Sequence, residues 1–435
     1  MLSIVDRLVR DLKLDPNNPR LHTQNQIRQI ARSIETFGFN VPVLIDAQGQ
    51  LIAGHGRVLA ARLLGMAEVP TIQLVHLTEG QIRAFMIADN RLTENSVWNE
   101  RLLAEQFKAL SVCNLDFSIE ATGFEMGEID MMIENLEPAT NNKEDLADSL
   151  PDPSLVQVSG AGDLWQLGKH RVLCGDAVHE ESYLKLMEGL RAAAVFSDPP
   201  YNDKIDGYVT GFGKVHHSEF VMASGEMSEA QFIDFLLKTF RNLARNSERG
   251  SLHFIFLDWR HAFEILEASR RIYSEFKNLC VWVKESGGQG SFYRSRHELV
   301  FVFKNGKTQY RNNIQLGQYG RYRTNVWEYP RVTSSRRNDK EELSGLHPTI
   351  KPAAMVADAI LDCTSRNDII LDPFLGSGTT VVAAERTGRV CYGMELDPVY
   401  VDTAIRRWQR FTSIEAIHQV TGQTFAQREE ERRGA

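Results

Sequence analysis

Two short stretches carry side chains whose types and spacing could do chemistry. In "VFSDPPYND", Asp198, Pro199, Pro200 and Tyr201 directly follow an apolar run. Consecutive prolines stop a strand, remove two amide donors and stiffen the turn. Such a turn presents a carboxylate, free carbonyls and an aromatic face, a set that suits a planar amine: Asp198 and the Pro199 carbonyl accept its two N–H bonds while Tyr201 stacks on the heterocycle. In "LDPFLGSGTTVVAAERTGRVCYGMELDP", Gly376 and Gly378 allow a tight turn and close backbone approach, and Ser377, Thr379 and Thr380 can cap the next helix. The free amides of that helix favour an anionic group, and Glu395 follows roughly 20 residues on, where an acid meets ribose hydroxyls. By itself this loop still admits a nicotinamide cofactor.

The elements that must position these groups are legible as alternating patterns. "VLCGDA", "AAAVFSDPPY", "SLHFIFLDW", "DIILDPF" and "VCYGMELD" are apolar strands, and "SEAQFIDFLLKTFRNLAR", "KPAAMVADAILDCT" and "GTTVVAAERTG" have helical periodicity. "KNLCVWVKE" and "HELVFVFKNG" form an expected β-pair. Repeated βα units imply a mainly parallel sheet covered on both faces. The chain has 435 residues, 43% of them hydrophobic, enough for two or three domains. No apolar run approaches a membrane span, so the expected location is the cytosol. Five cysteines lie far apart without a CxxC or a partnering histidine pair, which argues for buried thiols and against a metal site. A net charge of -8 excludes a chain coated in basic charge but not a local basic groove.

D-P-P-Y, D-P-F-x-G-S-G-T-T and G-x-E-L-D-P together resemble the amino-group DNA methyltransferases that use S-adenosylmethionine. The order, catalytic motif first and glycine loop last, resembles their permuted β class. The resemblance implies an α/β, Rossmann-like fold with a circularly permuted sheet, in which the two motifs lie side by side. It covers about 158–411. It implies a catalytic set of Asp198, Pro199, Pro200 and Tyr201, and cofactor contacts from Asp372, Phe374, Gly376, Gly378, Thr379 and Glu395. It further matches Asp176 of "CGDA" to an acid near the cofactor adenine, and His347, Thr349 and Lys351 of "HPTIKP" to a segment closing over the methionine part. "SFYRSRHELVFVFKNG" resembles the hairpin that lines the target-base pocket. Asp at the first motif position favours adenine N6 over cytosine N4, and double-stranded DNA is the implied partner.

Between that hairpin and HPTIKP, about 304–346, basic residues alternate with aromatic ones. Lys304, Arg311, Arg321, Arg323, Arg336 and Arg337 are the expected phosphate contacts, interleaved with Tyr310, Tyr322, Trp327 and Tyr329. The loop after D-P-P-Y, with His216 and His217, is expected to close over a flipped base.

The first 80 residues, with "NPR" and "LIAGHGRVLAARLLG", resemble the ParB-like N-terminal domain of partition proteins and sulfiredoxin, giving an N-terminal α/β ParB-like domain. Gly54, His55, Gly56 and Arg57 form the candidate ligand loop. The loop lacks sulfiredoxin's cysteine and the acid–arginine–arginine run with which partition proteins hold nucleotide phosphates. A nucleotide there and a homodimer are left open. Residues 81–140 read as a helical connector, 141–157 as an acidic linker and 412–435 as a polar C-terminal tail. Within the connector, "LDFSIEATGFEMGEIDMMIENL" looks loosely like a helix-turn-helix. The acids Glu125, Glu128, Asp130 and Glu134 repel phosphates, so docking or dimerisation is the expectation there.

Overall fold

The computed structural model describes residues 2–113, 115–136, 145–151, 156–202, 226–285, 287, 292–330, 332 and 350–434. It divides into two compact units, Met1–Pro138 and Ala139–Ala435.

The first unit holds a four-stranded sheet built from β1 (Ile4–Leu8), β2 (Val43–Ile45), β3 (Leu51–Ala53) and β4 (Glu68–Gln73), in the order β1-β4-β2-β3. Helix α1 (Gln24–Phe37), capped by the Thr23 hydroxyl, packs Ile27, Ala31 and Ile34 against Ala60 of α2 (His55–Leu63). Helix α3 (Glu79–Glu94) starts in a capping box between Thr78 and Gln81. Then α4 (Glu100–Val112), a 3-10 turn at Ile119–Thr122 and α5 (Met126–Glu134) close around Phe107, Ile119 and Ile129.

The second unit is a ten-stranded sheet with helices on both faces. In chain order it comprises β5 (Leu164–Leu167), β6 (His170–Cys174), α6 (Glu180–Met187), β7 (Ala192–Ser197), α7 (Glu229–Arg245), β8 (Ser247–Leu257) and α8 (Ala262–Arg270). There follow β9 (Glu275–Val283), β10 (His297–Lys304), β11 (Val326–Glu328), α9 (Ala353–Cys363), β12 (Ile369–Asp372) and α10 (Thr379–Thr387). The chain ends with β13 (Val390–Glu395), α11 (Pro398–Thr412), β14 (Ile417–His418) and α12 (Phe425–Gly434). The strand order is β11-β9-β10-β8-β7-β12-β13-β6-β5-β14. The central run β8-β7-β12-β13-β6 is parallel, as its apolar strands require. The sheet is nevertheless mixed: β10 pairs antiparallel with the preceding β9, and β5 pairs antiparallel with the β6 that follows it.

Both faces are packed. Phe232, Leu236 and Phe240 of α7 cover one face with Tyr183 and Ile265, and Met355, Val356 and Ile360 of α9 cover the other. Each such side chain contributes about 1.5–3 kcal/mol on burial. Two segments are more structured than their composition suggests. Ala147, in the acidic stretch read as a linker, is fully buried, and its carbonyl accepts the Arg407 guanidinium at 2.6 Å. Asp148 accepts the Ala353 amide at 2.8 Å. The residues read as a polar tail add strand β14 to the sheet edge, and Phe425 packs its ring 5.3 Å from that of Trp165.

Candidate active site

The parallel run sets five strand ends in one row, and an acid stands at or just beyond each: Asp176, Glu395, Asp372, Asp198 and Asp258. The D-P-P-Y strand β7 is hydrogen-bonded directly to β12, which leads into the glycine loop, with Val195 opposite Leu371. Residues separated by more than a hundred and fifty positions thus share one sheet edge.

Asp198 is held from both sides. Its Oδ1 accepts the Tyr201 hydroxyl at 2.7 Å, and its Oδ2 accepts Lys351 Nζ at 2.6 Å. Lys351 also lies 3.2 Å from Glu298 Oε2, the Tyr201 hydroxyl reaches the same oxygen at 3.3 Å, and Lys284 donates to Glu298 Oε1. Two carboxylates and two ammonium groups therefore form one buried, charge-balanced cluster. Burial raises the Asp198 carboxyl, Lys351 opposes that shift, and the neighbouring Glu298 charge adds to it. Burial would raise Glu298 as well, but two lysines outweigh it and hold it at about 2. Burial and both carboxylates push the Tyr201 phenol well up, so it remains a donor. Neither Glu298 nor Lys284 is singled out by the sequence. The signal available was an acid opening β10 opposite the end of β9, where the register pairs Glu298 with Trp282 two residues before Lys284.

The turn continues into Asn202, which adopts a left-handed φ of 58°. Its side-chain amide bonds both backbone groups of Met227, at 2.8 and 3.1 Å, and so ties together the ends of the segment expected to cover the site. His216 and His217 lie outside the described residues.

Beside this cluster the glycine loop is fixed by its neighbours. Gly378 has φ 84°, and a Cβ there would stand 2.7 Å from Ala404 Cβ. Asp372 accepts the Thr380 hydroxyl at 2.5 Å and the Phe374 amide at 3.1 Å, and burial raises it to about 7. Glu395 accepts the amides of Gly376 at 2.8 Å and Asp397 at 3.0 Å, and burial raises it also. The register places Cys174 opposite Glu395, so Asp176 stands next to it; Asp176 accepts the Val178 amide at 2.9 Å. S-adenosylmethionine carries a sulfonium and an ammonium, and this acid-lined edge suits its charge. The remaining lone pairs of Glu395 and Asp176 suit its hydroxyls and amino groups. Phe374, half-buried at the loop, offers an apolar surface.

Several expected contacts are placed elsewhere. The Thr379 hydroxyl faces inward and accepts Arg407 at 2.9 Å, leaving only its backbone toward a ligand. Lys351 stands against Asp198, and His347 lies outside the described residues. Arg321 is 6% exposed and bonds Asp358 at 2.8 Å and Asp362 at 2.9 Å. Arg323 shares both acids and bonds the Tyr329 hydroxyl. These two arginines anchor their segment to α9. Lys304 pairs with Glu275 and ends β10, about 23 Å along the strand from His297 at roughly 3.3 Å per residue. Because β10 is reversed, Lys304 lies at the edge opposite Asp198, and so does Arg311, which interacts with Glu248 near the start of β8. Arg336 and Arg337 lie outside the described residues. The Asp198 edge instead carries Trp259, Phe292 and Tyr293, all exposed, together with Arg294 and Arg296.

In the N-terminal unit, the candidate ligand loop has structural partners. Gly54 has φ 96°, and a Cβ there would meet Val43 Cγ1 at 2.7 Å. A Cβ on Gly56 would meet Ile30 at 2.9 Å. Arg57 donates to the Val41 and Pro42 carbonyls, and buried His55 Nε2 accepts the Asp15 amide at 3.4 Å. These contacts account for all four residue types by packing.

Fold and site together define an α/β transferase of the methyltransferase type. Residues 192–406 match the N6/N4 DNA methylase family, and residues 101–160 match the ParB-methyltransferase HTH domain. The chain thus carries an N6/N4 DNA methylase domain together with a ParB-methyltransferase HTH domain. It is 48% identical over 80 residues to the ParB-like nuclease domain-containing protein YnaK of Escherichia coli (strain K12), covering 18% of this chain and 92% of that protein. It is 29% identical over 264 residues to the DNA adenine methyltransferase YhdJ of the same organism, covering 54% and 81% respectively. The solved PvuII DNA methyltransferase (cytosine-N4-specific) aligns at TM-score 0.43 with 15% identity, over 65% of this chain and 97% of that one. The helix-turn-helix likeness read at 115–136 thus lies within a family match that begins in α4. Among the described residues, no helix is long and apolar enough to cross a membrane.

Proposed function

We propose that this chain methylates the N6 amino group of adenine in double-stranded DNA, using S-adenosylmethionine, at sites of defined sequence. The observation that carries the reading is the position of Asp198: at the end of β7, beside the glycine-loop strand, with Tyr201 hydrogen-bonded to it. When bound, S-adenosylmethionine supplies an electrophilic methyl group. Glu395 and Asp176 would hold its hydroxyls and adenine edge, and the loop from Phe374 to Gly378 would line its site.

The chain's own groups do the rest. A base extruded from the duplex stacks on Tyr201. Asp198, each of whose oxygens keeps a free lone pair, accepts one amino hydrogen, and the Pro199 carbonyl accepts the other. Those bonds keep the nitrogen lone pair directed at the methyl group, and alignment supplies most of the acceleration. Trp259, Phe292 and Tyr293 offer stacking surfaces on the same edge, and Arg294 and Arg296 offer charge for the DNA backbone. Adenine is favoured over cytosine by Asp at the first motif position, and the relative YhdJ bears an adenine-specific name.

The test is incubation of the purified protein with labelled S-adenosylmethionine and mixed-sequence double-stranded DNA, followed by digestion to nucleosides. Label in N6-methyladenine is the expected result. Label in N4-methylcytosine moves the base and keeps the site, and absence of label despite cofactor binding overturns the reading.

A further inference from the structure

Asp198 can accept amino hydrogens strongly only while ionised, and nothing in D-P-P-Y itself ensures that. It is partly buried at the end of β7, with the Glu298 carboxylate held near it through one shared hydroxyl. Two carboxylates this close disfavour joint ionisation unless a cation sits between them. Lys351 occupies that place: its Nζ bonds both and lies over the Phe256 ring, 5.1 Å from the centroid. Lys284 neutralises the far oxygen of Glu298. Among the described residues, the charged groups facing Asp198 are Lys351 and Glu298, with the neutral Tyr201 phenol beside them, Asp372 on the adjacent strand and Lys284 one group removed.

We propose that Lys351 and Glu298 are positioning residues: Lys351 keeps Asp198 ionised between two carboxylates, and Glu298 fixes both the Lys351 ammonium and the Tyr201 hydroxyl so that the ring stands ready to stack. The inference rests on the methyltransferase reading above. Glu298 costs Asp198 acidity and Lys351 restores it, so their removal has opposite effects on pH dependence. In Lys351→Met the acid limb of kcat, at saturating cofactor and DNA, moves up by about 1–3 pH units, because Asp198 must then ionise beside an uncompensated carboxylate. Turnover is lost at low pH and recovers as pH rises through the new limb. Adding Glu298→Gln to that variant removes the repulsion and returns the limb toward the original.

Glu298→Gln alone moves the limb down by about one unit, together with a lower kcat on the plateau from the loosened Tyr201. Lys351→Arg keeps the charge and keeps the limb near its original place. These single-charge variants also decide the matter if Lys351→Met does not fold. Cofactor affinity, measured by titration calorimetry, stays within about threefold throughout.

A limb that stays fixed in both Glu298→Gln and Lys351→Met, while plateau rates fall equally at every pH, overturns the inference and leaves only a structural cluster. Wild-type protein that labels no base despite cofactor binding overturns the methyltransferase reading and this inference with it. A wild type that turns over with an immovable limb overturns the inference alone.

Discussion

Lys351 donates to Asp198 across 153 positions of sequence, Nζ to Oδ2 at 2.6 Å, and the contact brings the segment before α9 onto the D-P-P-Y turn after β7. Both carboxylate oxygens of Asp198 are therefore engaged by the protein before any substrate group arrives. Each keeps acceptor capacity, so an incoming amine adds to a preorganised site with little rearrangement.

Replacing Asp198 by Asn removes the charge and one full acceptor while keeping the shape. Lys351 retains Glu298 as a partner, so the fold survives. Turnover on DNA is expected to fall by about 10²–10⁴-fold, the range for a positioned group acting on a transferred proton. Cofactor affinity, read by calorimetry, is expected to change little, since Asp198 is the proposed contact to the acceptor base. Retained turnover removes Asp198 from the mechanism.

Gly378→Ala has the opposite profile. The position needs a left-handed φ of 84°, and the new methyl would stand 2.7 Å from Ala404 Cβ and 2.9 Å from its Cα. Strain of about 1–3 kcal/mol is expected, paid by displacement of the loop from α11. Cofactor affinity should drop by tenfold or more, with a lowered Tm, while DNA binding without cofactor holds. An unchanged cofactor affinity separates the loop from the cofactor site.

Arg321→Ala distinguishes a structural cation from a DNA contact. It strips the main partner from Asp362, a buried carboxylate that burial already pushes up. Breaking such a pair costs about 3–5 kcal/mol, so chemical denaturation should shift strongly. The salt dependence of DNA binding should keep its slope, because no phosphate contact is lost. A slope reduced by about one unit at unchanged stability restores Arg321 to the DNA interface.

The strands and the two motifs were legible because apolar runs, double prolines and glycine turns are local signals. The β9/β10 pair was read correctly, yet the consequence of its reversal was not: Lys304 and Arg311 land at the far edge, which only the sheet order reveals. Arg321 and Arg323 read as basic-loop residues because their acids, Asp358 and Asp362, come 35 or more positions later on a helix that looks apolar. Glu298 was hidden for a related reason. An acid among H-E-L-V-F-V-F reads as a strand end, and its lysine partners come from two other segments. Buried charge clusters assembled from distant segments leave no periodicity to read.

Asp372 makes a pH dependence of stability predictable. Burial raises its carboxyl from the usual range to about 7, even though Thr380 and the Phe374 amide favour the ionised form. Between the unfolded value near 4 and the folded value of about 7, the folded chain holds a proton that the unfolded chain has lost. Raising pH across that window therefore lowers stability through this group, by up to about 4 kcal/mol at 1.36 kcal/mol per unit, and the loss is complete above the folded value. Asp372→Asn keeps an acceptor for Thr380 but cannot titrate, so its stability should decline less between pH 4 and 7 than that of the wild type. Denaturation midpoints of both proteins at pH 5, 6, 7 and 8 provide the check. Parallel curves would mean that Asp372 is ionised throughout and that its hydrogen bonds outweigh its burial.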